Sequence, residues 1–119
     1  MGLIGVGRIG AFHARTLLGL DGVELAIADA DAPRAAQTAA ELGVAASAPE
    51  ALVESRPDAL VIATSTPAHA PLLRLAAAAG VPTFCEKPVA LDPLVLDAVI
   101  DEVEESGVLV QVGFQRRFD

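Results

Sequence analysis

Apolar runs and helical patterns alternate along this 119-residue chain. Runs at 2–6, 23–28, 44–46, 59–64, 81–85 and 108–113 each predict a strand, the third of them weakly. Between the first two, 10–20 predicts a helix with Phe12, Thr16 and Leu20 stepping along one side. A second helix is predicted over 33–42, with Pro33 in the first turn, where a missing N–H costs nothing. A short helix follows over 49–54. In 67–79, Leu72, Leu75, Ala76 and Ala79 fall at i, i+3, i+4 and i+7, and Gly80 stops the helix. Asp92 caps the last helix with Pro93 just inside it, and Leu96, Val99, Ile100 and Val103 form its inner stripe. Strands that are apolar throughout and separated by helices predict a parallel sheet covered on both faces. Six of them fit an α/β, doubly wound sheet of order 3-2-1-4-5-6.

Length and composition narrow the function. A chain of 119 residues is one domain, and the doubly wound strand pattern is what makes residues 1–119 fit a dinucleotide-binding unit. Aromatics make up 3%, without Trp or Tyr, so base-stacking platforms are missing. The net charge of −8 repels nucleic-acid backbones and anionic lipid surfaces. One cysteine, Cys85, excludes an internal disulfide and a Cys-based zinc site, and in a buried strand it reads as a small hydrophobe. The two histidines, His13 and His69, have no ligand spacing, and no metal is expected. The acidic run Asp97, Asp101, Glu102, Glu104 and Glu105 reads as a solvated helix face. No apolar run reaches the ~18 residues of a membrane span, and the start lacks the pattern of a secretory signal. A soluble cytoplasmic protein is expected.

The chemistry begins at Gly5-Val6-Gly7-Arg8-Ile9-Gly10, a G-x-G-x-x-G between the first strand and the first helix. Gly5 allows the tight turn, Gly7 lets backbone approach a pyrophosphate, and Gly10 lets helix and strand pack closely. The helix start then offers N–H groups and a positive dipole to the anion. The bland alternative is a glycine-rich turn without a ligand. Asp29 ends the second strand, 19 residues after Gly10, where an acid accepts from the adenosine ribose hydroxyls and repels a 2′-phosphate. Ala30 follows it, with no Ser or Arg to receive that phosphate, so NAD is expected over NADP. The alternative for Asp29 is a solvated loop acid, the reading given to Asp31. Lys87 is the only lysine among eight basic residues and follows the fifth strand, where ligands of open α/β sheets bind. A solvated surface lysine is the alternative.

Four segments together resemble the Gfo/Idh/MocA oxidoreductases: the glycine motif, Thr66-Pro67-Ala68-His69, Cys85-Glu86-Lys87-Pro88, and Val112-Gly113-Phe114-Gln115-Arg116-Arg117-Phe118-Asp119. The last is most similar to inositol 2-dehydrogenases, and Glu86-Lys87-Pro88 is the most specific part. The resemblance implies NAD-dependent hydride transfer at a ring hydroxyl of a cyclitol or sugar such as myo-inositol. It makes Lys87 the catalytic-site lysine, donating to the reacting hydroxyl and stabilising oxyanion charge. Glu86 would set Lys87 or touch the cofactor. Gly5, Gly7, Arg8, Ile9, Gly10 and Asp29 would bind the cofactor, and Thr64, Ser65, Thr66 and His69 would line its groove. For His69, local packing at the helix start is an equal alternative; His13 reads as structural. Arg116 and Arg117 would touch substrate or nicotinamide, or bridge to a further domain. The resemblance also implies a cis Lys87–Pro88 bond.

Members of this family carry a second, larger α/β domain that supplies an Asp and a His as general base and partner, and they are commonly tetramers. Residues 114–119 are expected to lead into that domain, which makes the chain the cofactor half of an enzyme. A non-catalytic NAD-binding module or sensor is the competing reading, because no proton acceptor stands near Lys87 in the sequence.

Overall fold

The computed structural model describes residues 1–113. Eleven elements follow one another: β1 (Gly2–Ile4), α1 (Arg8–Leu18), β2 (Ala26–Ala28), α2 (Ala32–Leu42), β3 (Ala45–Ser47), α3 (Pro49–Glu54), β4 (Leu60–Ile62), α4 (Thr66–Ala79), β5 (Thr83–Glu86), α5 (Pro93–Ser106) and β6 (Val110–Gly113). The six strands form one sheet in the order β3-β2-β1-β4-β5-β6, and every pairing is parallel. No helix among the described residues is long and apolar enough to cross a membrane.

The strands are apolar throughout because both faces are covered. Successive side chains point to opposite faces, so each strand feeds two cores. Ile4, Ala28, Leu60, Ile62 and Cys85 face one side, where α3, α4 and α5 add Leu52, Val53, Leu73, Ala76 and Val99. Leu3, Ile27 and Val61 face the other, where α1 and α2 add Ala14 and Ala39.

Three helices depart from the stripe the periodicity suggests. In α1, Phe12 is 64% exposed and Leu20, past the helix end, is 53% exposed; the buried residues are Gly10 and Ala14. Small residues face the sheet here because the helix starts hard against the β1 turn. In α4, Leu73 is buried and Leu75 is exposed, while Leu72 and Ala76 point inward as predicted. In α5, Val99 is buried, Val103 packs partly against the core and Ile100 is exposed. The acidic run of α5 faces outward, and its Glu102 takes a 2.8 Å ion pair from Arg74 of α4.

The turn after β1 is the tightest point. Gly5 has φ +98°, and a Cβ there would meet the Ala63 carbonyl oxygen at 2.5 Å. A Cβ at Gly10 would run into the carbonyl oxygen of Gly5. Backbone cannot yield as a flexible side chain does, so Gly10→Ala is expected to destabilise the fold by about 1–3 kcal/mol, the range of overpacking. At Gly7 an added Cβ meets nothing within 4 Å among the described residues, and its φ of −68° suits alanine. Gly7→Ala is therefore expected to stay within about 0.5 kcal/mol of the parent. Urea unfolding of the two variants side by side checks both; equal stabilities would contradict the packing argument.

Candidate functional site

The chain runs outward from β1 to β3 and then returns to place β4 on the other side of β1. Ligands of open α/β sheets bind at such a reversal, beyond the carboxyl ends of the strands. Two backbone bonds pin the strand ends together here: Gly5 N–H donates to Ala28 O, and Ala63 N–H donates to Ile4 O, both at 2.8 Å. The ends of β1, β2 and β4 therefore open on one edge. A groove of about 670 Å3 lies along it. Gly5, Gly7, Asp29, Thr64 and Ser65, five of the candidate site residues, line it together with Arg34, Pro71, Leu72 and Leu75.

Gly7 is the residue before α1, which has no side-chain cap among the described residues. The first N–H groups of α1 and its positive dipole end therefore suit an anion. The open space over Gly7 is the cradle a pyrophosphate requires, and a glycine keeps it clear. The residues present thus fit a dinucleotide. Arg8 and Ile9 open α1 and are exposed, whereas Gly10 is buried under the turn.

Asp29 is buried at the end of β2 and is held on both oxygens. Oδ2 accepts from Val6 N–H at 2.9 Å and Oδ1 accepts from Asp31 N–H at 2.8 Å. Arg34, in the first turn of α2, adds a second donor to each: Nε to Oδ2 at 3.3 Å and Nη2 to Oδ1 at 3.1 Å. Burial alone pushes the Asp29 carboxyl up, but these donors outweigh it and hold it below the usual aspartate value. Asp31 is not the loop acid of the sequence reading; its Oδ1 accepts from Arg34 N–H and caps α2. The premise that no arginine stands near Asp29 is likewise corrected. Ala30 offers none, but Arg34 reaches back across the tight β2–α2 turn. The five-residue spacing from a strand-end acid to a first-turn arginine was the available signal.

One strand further along the same edge, Lys87 is exposed just past β5 and outside the described lining of the groove, and its bond to Pro88 is cis as expected. Glu86 points inward instead. His13 Nε2 on α1 lies 2.6 Å from Glu86 Oε1, with Phe84 and Phe12 set edge-on to the His13 ring. His13 is thus structural, as predicted, but through a pairing that the sequence did not reveal. His69 is buried and lies outside the described lining of the groove, which matches the local-packing alternative and not the groove wall. Its Nδ1 lies 2.7 Å from Pro88 O and its Nε2 2.9 Å from Thr64 O, so it ties the turn after β4 to the turn after β5. Thr66 starts α4, is half-buried and is outside the described lining of the groove. Burial, with the Glu86 charge nearby, pushes the Cys85 thiol up to about 12, consistent with a small hydrophobe. Arg116 and Arg117 lie outside the described residues.

Known proteins share this arrangement. A family model described as an oxidoreductase family with an NAD-binding Rossmann fold, Gfo/Idh/MocA, matches residues 1–114. The myo-inositol dehydrogenase Hyg17 of Streptomyces leeuwenhoekii is 43% identical over 98% of this chain and 37% of its own length. The scyllo-inositol 2-dehydrogenase (NAD(+)) of Bacillus subtilis is 38% identical over 98% of this chain and 36% of its own. The crystal structure of a probable dehydrogenase from Thermotoga maritima superposes with a TM-score of 0.91 at 38% identity, covering 99% of this chain and 37% of that one. The chain therefore spans little more than a third of the length of these proteins. With the sheet order, the glycine turn and the strand-end acid in place, the chain belongs to the Gfo/Idh/MocA oxidoreductase family and carries its NAD-binding Rossmann fold.

Proposed function

We propose that this chain is the NAD-binding half of an oxidoreductase that moves a hydride between NAD and the ring carbon bearing a hydroxyl of a cyclitol or sugar, with myo-inositol the first substrate to try. The observation that carries the reading is the shared edge: an open cradle at Gly7, an acid at the end of β2, and Lys87 two strands beyond β1. The inositol dehydrogenases among the relatives support the substrate class.

In this reading Gly5 and Gly10 shape the turn, and the backbone N–H groups of Gly7, Arg8 and Ile9 hold the pyrophosphate together with the α1 dipole. Asp29 accepts from the adenosine ribose. Thr64, Ser65 and Thr66 form the wall beyond it, with His69 beneath them holding the two turns in register. When bound, NAD supplies the acceptor for the hydride. Lys87 donates a hydrogen bond to the reacting hydroxyl and stabilises the negative charge that grows on its oxygen. Glu86, anchored to His13, keeps the end of β5 in place beneath Lys87. Arg116 is proposed to touch substrate or nicotinamide. The proton leaving the hydroxyl goes to a base in the second domain implied by the family resemblance.

Three measurements test this. Calorimetric titration is expected to show tighter binding of NAD than of NADP; the reverse order overturns the role given to Asp29. Gly7→Ala is expected to weaken NAD binding at least about tenfold, since it fills the cradle, while leaving unfolding unchanged. In an enzyme containing this chain and its second domain, Lys87→Ala is expected to lower kcat for myo-inositol about 100-fold or more, with NAD affinity within a few-fold. NAD binding without any polyol-dependent NADH formation by that longer enzyme would favour a sensor instead.

A further inference from the structure

Asp29 presents a full set of acceptor sites, and all are in use. An ionised carboxylate offers about four lone-pair positions, two on each oxygen. Here each oxygen has one backbone donor and one donor from Arg34. The backbone bonds, at 2.9 and 2.8 Å, are the shorter pair and belong to the turn and the strand end. The arginine bonds, at 3.3 and 3.1 Å, are the longer pair, and the Arg34 side chain is 51% exposed. A ribose with vicinal hydroxyls brings two donors to one carboxylate. The two positions it can take without breaking the fold are those that the guanidinium fills.

We propose that Arg34 is an internal competitor of the adenosine diol for Asp29, and that by neutralising this carboxylate it also softens the rejection of a 2′-phosphate, so that it sets the NAD-to-NADP preference. The proposal rests on the reading of the groove as the adenosine end of an NAD site. The diol takes over one position on each oxygen as the guanidinium moves aside, and Val6 and Asp31 keep the carboxylate aimed throughout. A displaced guanidinium remains tethered to the first turn of α2, beside the groove that it lines. NAD, without a 2′-phosphate, offers it no counter-charge at the ribose. For NADP it is a counter-charge close to the added phosphate, and guanidinium–phosphate pairs are strong. Removing Arg34 therefore acts in opposite directions on the two cofactors.

The test is a titration of the parent, Arg34→Ala and Arg34→Gln with NAD and with NADP at one fixed ionic strength. Arg34→Gln keeps part of the stem and removes the charge, and both variants suit an exposed helix position. The expected result is NAD affinity equal to or tighter than the parent, NADP affinity weaker, and a preference for NAD widened by about tenfold. An unchanged ratio overturns the proposal, whether both affinities fall together, as they would if Arg34 merely braced Asp29, or neither moves. A narrowed ratio overturns it too. Failure of the parent itself to bind NAD would instead overturn the reading of the groove, and the Arg34 proposal with it. Asp29→Asn separates the two effects: it is expected to tighten NADP binding, and adding Arg34→Ala to it is expected to cancel that gain. Retention of the gain in the double variant would show that Arg34 never meets the phosphate.

Discussion

The site depends on how closely two backbones approach at the end of β1. The Gly5 peptide is enclosed by the Ala63 carbonyl on one side and Gly10 of α1 on the other. No side chain fits into either gap. That contact seats α1 directly over the strand end, which brings its first N–H groups to the edge where β1 and β4 diverge. It also explains why α1 buries Gly10 and Ala14 rather than its larger residues. A helix held this close to a sheet can face it only with small side chains.

From that fixed point, the site spreads sideways by strand pairing. β1 is paired in register with β2 on one side and β4 on the other, so the residues that follow Ile4, Ala28 and Ile62 arrive at one level. Asp29 follows β2 and Thr64 lies just past β4. The aspartate does structural work too: its oxygens satisfy backbone donors of the glycine turn and of the α2 entry. A group with that duty is ionised and aimed before any ligand arrives. Preorganisation of this kind lowers the cost of binding, because the ordering has already been done by folding.

The β5 end is built from different materials. Glu86 is drawn inward to His13, and the two turns beyond β4 and β5 are joined through the His69 ring. Both histidines thus serve cross-element contacts in the described structure. The His13 contact spans 73 residues of sequence, the His69 contacts up to 19. Lys87 stands exposed above this braced platform.

The order of elements, the parallel sheet and the tight glycine turn were legible in the sequence, because each depends on local rules. Apolar runs of strand length, Pro and Asp at helix starts, Gly80 at a helix end and the G-x-G-x-x-G spacing all report on neighbours within a few residues. Leu75 and Phe12 misled for the same reason: periodicity shows that a helix has a face, but the sheet decides which face is turned inward. The four donors on Asp29, the His13–Glu86 pair and the link from His69 to Pro88 were not legible. Each joins side chains to partners that only the crossover and strand register bring together. A sequence states which groups could pair. Which of them do is decided by distances that exist only once the sheet has closed.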